Sequence, residues 1–568
     1  MKKILLYLRH YKKECILAPL FKMLEVCFEL LVPLVMAAII DIGIPSGDTA
    51  YIINRALLLV LLGVLGLSAT LVAQFFSAKA ATGFAKRVKS ALFSHIGKLS
   101  YADTDKIGTP RLIQSMTSDI NQVQTGVNLT LRLFLRSPLV VFGAMAMAFY
   151  IGKDAALPFV VVIPALSVVV FGIMLLSIPL YKRVQEALEK LLGRTRENLN
   201  GVRVVRAFCR EDEEIADFAA ENHALTRAQR FVGRITALMN PLTYAIVNLG
   251  IIFLVWQSAS RVDEGILLKG EVVALWNYMT QILVELVKLA NLIITITKSV
   301  ACGNRIGAVL ETVPSITYPE NAPKEDLAAP AVSFSSVTLS YEEEADAALE
   351  EITFSVKRGD YIGIIGGTGS GKTSLVNLIP RFYDVTSGEV LVNGCNVKLY
   401  PKEALLSKIA VVPQKAVLFS GSIRDNLRFG KPDATDEECL EAIHKAQADD
   451  VLASKEEGLD HQIEQGGRNL SGGQRQRLTI ARALIKKPEI LILDDASSAL
   501  DFATDASLRK ALRQEECTVF TVSQRISSVR FCDLILVLDD GKLVASGTHE
   551  ELLAHSDIYR EIDESQRD

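Results

Sequence analysis

Up to residue 313 the hydrophobic positions gather into long runs, and from residue 331 onward they fall into short runs separated by polar and glycine-rich stretches. Six long runs, at 15–42, 52–78, 126–152, 155–181, 237–261 and 271–299, each come near the roughly 20 apolar residues that carry a helix across a bilayer. The fourth (Ala155 to Tyr181) and the fifth (Ala237 to Ser260) hold no charge at all, which marks membrane spans. In the first, Lys22, Glu25 and Glu29 share one helical face, and in the sixth Glu285 and Lys288 stand three apart. Charge inside a span is costly and faces a bundle interior or a water-filled cavity. These faces therefore either line a polar, substrate-accessible cavity or, on the plainer reading, pair internally or sit at the membrane interface, and the sequence leaves both open. The same holds for Phe253, Trp256, Trp276 and Tyr278, as cavity lining or as packing against lipid and helices.

The connections alternate in length. Gly43 to Thr49, Gly152 to Asp154 and Arg261 to Gly270 are short, whereas the stretches after the second and fourth runs are long and basic. They contain Lys79, Lys86, Arg87, Lys89 and Lys98, then Lys182, Arg183, Lys190, Arg194 and Arg196. An excess of Lys and Arg marks the cytoplasmic side, so both chain ends are expected inside a multi-pass cell-membrane protein. The long connections keep helical periodicity, and the spans are expected to continue as stalks into the cytosol. Met1 to Leu20 is basic, but its apolar run Ile4–Leu8 is short and is broken by Arg9, Lys12 and Lys13. It reads as a short amphipathic helix on the cytoplasmic face rather than as a signal peptide.

Pro314 to Pro330 is proline-rich and polar and reads as a linker, dividing a six-span domain (1–313) from a soluble domain (331–568). In the latter, candidate strands at Ala331–Ser340, Ile409–Val412, Ile490–Leu493, Thr518–Val522 and Leu534–Leu538 alternate with helical stretches. That alternation predicts an α/β domain built on a mainly parallel sheet.

The candidate chemistry lies in this second domain. A buried-strand run, Tyr361 to Ile365, leads into Gly366-Gly367-Thr368-Gly369-Ser370-Gly371-Lys372-Thr373, and then into a helix starting near Ser374 and ended by Pro380. Strand, glycine loop and helix form a phosphate cradle: only glycine lets successive backbone N–H groups turn inward, Lys372 reaches outer phosphates, and the Thr373 hydroxyl suits Mg²⁺. Ile490-Leu491-Ile492-Leu493-Asp494-Asp495 describes a core strand that delivers a carboxylate, Asp494, to the same metal. Composition narrows the rest. A net charge of −4 argues against a nucleic-acid partner. The eight cysteines are scattered, which speaks against a disulfide framework and against a Cys/His metal site.

With these motifs in place the whole chain resembles the ATP-binding cassette (ABC) transporters of the exporter type, six helices fused ahead of one nucleotide domain. The most specific match is Leu470-Ser471-Gly472-Gly473-Gln474, the family's LSGGQ signature. The resemblance implies ATP and Mg²⁺ as cofactors. It places the nucleotide on Gly366 to Ser374 with Tyr341 against adenine, and makes Gln414 the glutamine that contacts Mg²⁺ or water and senses the membrane domain. Ser498 to Asp501 matches the D-loop, and Gly547 to Leu552 a recurrent stretch in which His549 is structural. Asp103 to Gln114 and Gly201 to Arg210 lie where the family has coupling helices. Two positions depart from the pattern. Asp495 stands where the family has a glutamate general base, and Gln524 where it has a histidine switch. A carboxylate one methylene shorter sits back by roughly 1 Å, a displacement that can cost about 10²-fold in rate. An amide cannot carry a proton or a positive charge. Family architecture pairs the phosphate loop of one chain with the signature of another, so an intact signature beside a weakened site implies a heterodimer with a competent second subunit. The expected activity is ATP-driven export of amphipathic small molecules, lipids or peptides. A homodimer with Asp495 as a slow base, and an ATP-binding regulator that gates without pumping, are the alternatives.

Overall fold

The computed structural model describes residues 2–326, 328–341 and 346–566. Contacts divide the chain into two units. The first comprises the residues up to Gly97 together with Gly108–Thr312, and the second comprises Lys98–Ile107 together with the residues from Val313 onward.

In the first unit, six helical segments among the described residues are long and apolar enough to cross a membrane: Leu6–Ser46, Thr49–Ile96, Thr109–Ile151, Leu157–Ala207, Glu211–Asp263 and Lys269–Glu311. The principal helices are α1 (Lys12–Ala38) and α2 (Thr49–Ile96). A short helix α3 (Tyr101–Ile107) belongs to the second unit and precedes α4 (Ile120–Leu133) and α5 (Arg136–Ile151). Then come α6 (Leu157–Ala207), α7 (Glu211–Ala237), α8 (Met239–Asp263) and α9 (Lys269–Glu311). Both α2 and α6 run far past their apolar stretches without a break, because Lys, Arg, Glu and Ala continue the helical pattern once the hydrophobic residues end. The sides of α2 differ sharply. Ala69, Ala73, Ser77, Ala80 and Ala81 are buried, while Ile53, Leu57, Val60, Val64 and Leu71 are exposed. Small residues let neighbouring helices approach, and the bare apolar side suits lipid.

The charges that the sequence singles out inside the first and sixth spans are paired. Arg136, at the start of α5, donates to Glu29 of α1 (2.8 Å) and to Glu285 of α9. Glu285 also accepts from Ser137 (2.9 Å) and Lys288 (2.9 Å), and Lys22 donates to Glu25 (2.5 Å). Of the two options the sequence left open, internal pairing holds these groups together. A lone charge in a low-dielectric bundle costs several kcal/mol, which pairing across three helices offsets. Tyr278 is likewise a packing residue, fully buried with its hydroxyl donating to the Leu30 carbonyl (2.5 Å).

Among the described residues the second unit holds, besides a two-residue pairing of Gly421–Ser422 with Gln462–Ile463, two larger sheets. The strands are β1 (Val332–Leu339), β2 (Leu349–Val356), β3 (Tyr361–Gly366), β4 (Ser387–Val392), β5 (Cys395–Asn396), β6 (Ile409–Val412), β7 (Ile490–Asp494), β8 (Thr518–Val522), β9 (Leu534–Asp539) and β10 (Lys542–Gly547). A six-stranded sheet has the order β10-β9-β3-β8-β7-β6, parallel except for its β10 edge. Its central strands are buried on both faces. Ile362, Ile364, Ile490, Ile492, Phe520 and Val522 pack into one core, and Tyr361, Leu491, Leu493 and Val519 into another. That two-residue alternation of continuously apolar strands is what a covered parallel sheet requires. A second, antiparallel sheet of order β2-β1-β4-β5 stands apart. The sequence reading had found only β1 of it.

Of the two stretches expected to couple the domains, the first is displaced toward its N-terminal side. Lys98–Ile107 packs with the second unit, whereas residues from Gly108 belong to the first. Within the second unit Tyr101 of α3 lies 4.5 Å from the Phe382 ring, and Tyr383 donates to Asp105 (2.8 Å). The backbone N–H groups of Ser100 and Ser315 both donate to Asp103 (3.0 Å each). Gly201–Arg210 stays in the first unit at the end of α6, with Phe208 74% exposed.

Candidate functional site

The loop after β3 is fixed by what surrounds its glycines. Gly366 has φ +156°, and a Cβ there would stand 2.0 Å from the Leu538 carbonyl oxygen. Gly371 has φ +91°, and a Cβ there would meet the Ala348 oxygen at 2.6 Å. Only glycine satisfies both the backbone angle and the space. Gly369 is also left-handed, at φ +87°. The loop ends in helix α10 (Lys372–Leu378).

A cleft of about 360 Å³ opens above this loop. From the loop and its helix it is lined by Thr368, Gly369, Gly371, Lys372, Thr373 and Ser374. Tyr341, Gln414, Asp494, Asp495 and Gln524 complete it from four other parts of the chain. Gly366, Gly367 and Ser370 lie beneath, their oxygens holding the lysine. The Lys372 ammonium donates to the carbonyls of Gly366 (3.0 Å) and Gly367 (2.5 Å) and to the Ser370 hydroxyl (3.4 Å). Burial holds its pKa below the ordinary lysine value, while Asp495 and Asp494 pull the other way. Ala348, Val522 and Ser523 also line the cleft. The sequence reading assigned them no role, and only the pairing of β8 with β3 and β7 brings Val522 and Ser523 there.

At the end of β7 the two aspartates part. Asp494 is buried and accepts from the Thr373 hydroxyl (3.0 Å). Burial raises its pKa, the Asp495 charge adds to that, and Thr373 and Lys372 oppose it. One hydroxyl and one carboxylate oxygen, both hard donors beside a phosphate-shaped loop, fit Mg²⁺, which takes few protein ligands and completes its shell with phosphate and water. No cluster of three His, Cys, Asp or Glu side chains exists among the described residues, so an all-protein metal cage is not part of this site. Asp495 takes a left-handed backbone (φ +49°), a conformation aspartate tolerates better than most residues, and its N–H donates to the Val522 carbonyl (3.0 Å). Its carboxylate accepts from the Gln414 amide at 3.3 Å. Among the described residues neither a histidine nor a glutamate lines the cleft.

The remaining expected residues fall in two places. Tyr341 is at the rim, half exposed, with its hydroxyl 2.8 Å from that of Ser374 and its ring edge-on to Tyr383. Ser471, Gly472, Gly473 and Gln474 do not line the cleft. They form the start of helix α11 (Gly472–Leu484), where the Ser471 hydroxyl accepts from the Gln474 N–H (3.2 Å) and the Gln474 side chain accepts from the Ser471 N–H (3.0 Å). This capping box satisfies the first turn from within.

Comparison with known proteins agrees with this geometry. Residues 15–286 match the ABC transporter transmembrane region and residues 349–498 match the ABC transporter domain. An uncharacterised ABC transporter ATP-binding protein of Mycobacterium bovis is 38% identical over 571 residues, covering 99% of this chain and 97% of that protein. YfiB of Bacillus subtilis, also an uncharacterised ABC transporter ATP-binding protein, is 34% identical over 566 residues, covering 100% and 98%. YgaD of the same organism, named as a candidate multidrug export ATP-binding/permease protein, is 30% identical over 575 residues, covering 99% and 98%. Among solved structures, a bacterial Atm1-family ABC exporter with ATP bound superposes with a TM-score of 0.81 at 24% identity, covering 98% of each chain.

Proposed function

Because the chain belongs to the ABC transporter family, with the exporter arrangement of six membrane helices ahead of one ATP-binding domain, we propose that it is the weakly hydrolysing subunit of a two-chain exporter. In this reading Thr373 and Asp494 hold Mg²⁺, the loop Gly366–Ser374 and Lys372 hold the phosphates, and Tyr341 packs on the adenine. The supporting observation is the make-up of the cleft wall: a short carboxylate, Asp495, tied to Gln414 at 3.3 Å, and an amide, Gln524, with no glutamate or histidine beside them among the described residues. Asp495 is set back from the position at which a glutamate carboxylate orients the attacking water. Gln524 donates a hydrogen bond to a terminal phosphate and transfers no proton. MgATP at this site clamps the two chains, and turnover at the other site resets them.

Ser471, Gly472, Gly473 and Gln474 are offered to the second subunit, whose own phosphate loop they complete. The exposed Phe208 at the end of α6 is an apolar contact available to that subunit as well. In this reading the nucleotide domain and both chain ends lie in the cytoplasm, which the excess of Lys and Arg in the long connections supports. The substrate is an amphipathic small molecule, lipid or peptide.

The test is restoration. Purified alone, the chain turns over ATP slowly, and the double variant Asp495→Glu with Gln524→His raises turnover by about 10²-fold with little change in MgATP affinity. Brisk turnover by the unaltered chain alone, lost on Asp495→Ala, sinks the proposal in favour of a homodimer.

A further inference from the structure

Helices α6 and α7 carry their charges unevenly. All the acids of α7 lie in its first half: Glu211, Asp212, Glu213, Glu214, Asp217 and Glu221, and the next acid in the chain is Asp263. There the basic groups of α6 are matched. Arg194 meets Asp217 (3.1 Å) and Glu221 (3.2 Å), and Lys190 meets Glu221 (3.6 Å). The other half of α7 holds Arg227, Arg230 and Arg234, spaced 3 and 4 apart on one face, with Arg183 on α6. None of these four guanidinium groups has a carboxylate or hydrogen-bonding partner among the described residues.

They border two adjoining grooves. One, of about 460 Å³, brings Arg183 and Leu180 of α6 to Arg227 and Phe231 of α7 over a floor of Ala220, Ala224 and Ala228. The other, of about 380 Å³, continues along α7 past Arg230 to Arg234. Phe231 is 54% exposed between them. Their height relative to the bilayer follows from the sequence. Arg183 stands two residues beyond the uncharged run that ends at Tyr181, and Arg234 three residues before the one that starts at Ala237. At about 1.5 Å per residue both lie within roughly 5 Å of the hydrocarbon edge, the depth of lipid headgroups.

We propose that these adjoining grooves bind the headgroup of an anionic lipid, with Arg227, Arg230 and Arg234 presenting guanidinium groups to the phosphate along one, Arg183 adding its charge from the other, and Phe231 with the alanine floor against the upper acyl chain. Guanidinium forks suit phosphate oxygens, and unmatched cations beside an apolar floor need a counter-charge. The cytoplasmic leaflet, which carries the site if the chain is oriented as proposed above, presents anionic headgroups. Only this orientation rests on the proposed function. The readout below is lipid retention, so a chain that hydrolyses ATP briskly would end the weak-site reading and leave this one standing.

The experiment takes the purified full-length chain, with any subunit that accompanies it, into nanodiscs of equal phosphatidylglycerol and phosphatidylethanolamine. Native mass spectrometry then counts the retained lipid. Phosphatidylglycerol is expected to be preferred, and the preference to fall about fivefold for each arginine replaced in Arg183→Gln, Arg230→Gln and Arg234→Gln. The corresponding lysine variants keep the charge and most of the preference. Equal retention of the two lipids, or retention unaffected by the glutamine variants, overturns the site. Displacement by millimolar inorganic phosphate with no lipid preference assigns the groove to a soluble phosphate and overturns the lipid. Loss of the dimer mass together with the lipid in the glutamine variants alone makes the groove a seat for an acidic face of the second subunit, and overturns it too.

Discussion

The second unit contains two glycine turns that open helices, and they are built for opposite purposes. At 366, 369 and 371 the glycines are demanded by this chain: side chains at 366 and 371 would strike the Leu538 and Ala348 carbonyls, and the backbone at all three has positive φ. Lys372 then folds back over the loop and closes it on its own cleft. At 471–474 nothing in the chain demands glycine at 472. Open space lies where its Cβ would be, and Ser471 and Gln474 cap the helix between themselves. In the reading proposed above, the first turn completes a site within the chain, and the second is offered to a site on the second subunit.

The largest way to break this comparison is to charge the outward turn. Gly472→Asp folds normally, leaves the chain's own MgATP affinity within about twofold, and lowers turnover of the assembled transporter by about 10²–10³-fold, the scale of removing a phosphate-directed donor. Equilibrium binding of a fluorescent nucleotide and steady-state ATPase separate the two effects. The converse, Lys372→Ala, weakens MgATP binding to this chain by roughly 10–100-fold, as expected for losing a charge-assisted contact, and leaves the signature's contribution to the other site intact.

A smaller effect sharpens the contrast between the two aspartates. Asp494 has a raised pKa, so its carboxylate takes up a proton at higher pH than an ordinary one, and Mg²⁺ affinity falls as pH drops through that range. Asp495→Asn removes the like charge and moves the midpoint of this loss to lower pH, measurable by Mg²⁺ titration of nucleotide binding across pH. The sign for stability runs the same way. A carboxyl with a raised folded pKa favours folding when protonated and weighs against it once ionised at neutral pH. Asp494→Asn therefore raises the Tm of the nucleotide-free protein at neutral pH, by the order of 2 °C, while removing the Mg²⁺ dependence.

Much of the site was legible because its parts are local in sequence. Strand, loop and helix follow one another through Tyr361–Leu378, and β7 announces itself as four apolar residues ending in Asp494. The six spans were legible for the same reason, a property summed over some 20 neighbours. What escaped depends on distance along the chain. Arg136 is one of two arginines in an apolar run, with no periodic signal of its own, and its carboxylate partners are 107 and 149 residues away. The sheet of β2, β4 and β5 escaped because β2 and β4 carry few buried positions and β5 is only two residues long. In β4, Ser387, Gly388 and Glu389 are all exposed, so apolar alternation is confined to the last three residues. The shift of the coupling stretch to Lys98–Ile107 rests on Tyr101 meeting Phe382 and Asp103 meeting Ser315, contacts that no local pattern encodes.

The most direct measurement of the central claim is the identity of the nucleotide held at this chain's own cleft while the assembled transporter is turning over. Photo-crosslinking with an azido-ATP, followed by separation of the chains and analysis of the attached nucleotide, reads it site by site. The account predicts intact ATP on this chain and diphosphate on the other. Diphosphate on this chain, at the level found on its partner, would contradict it.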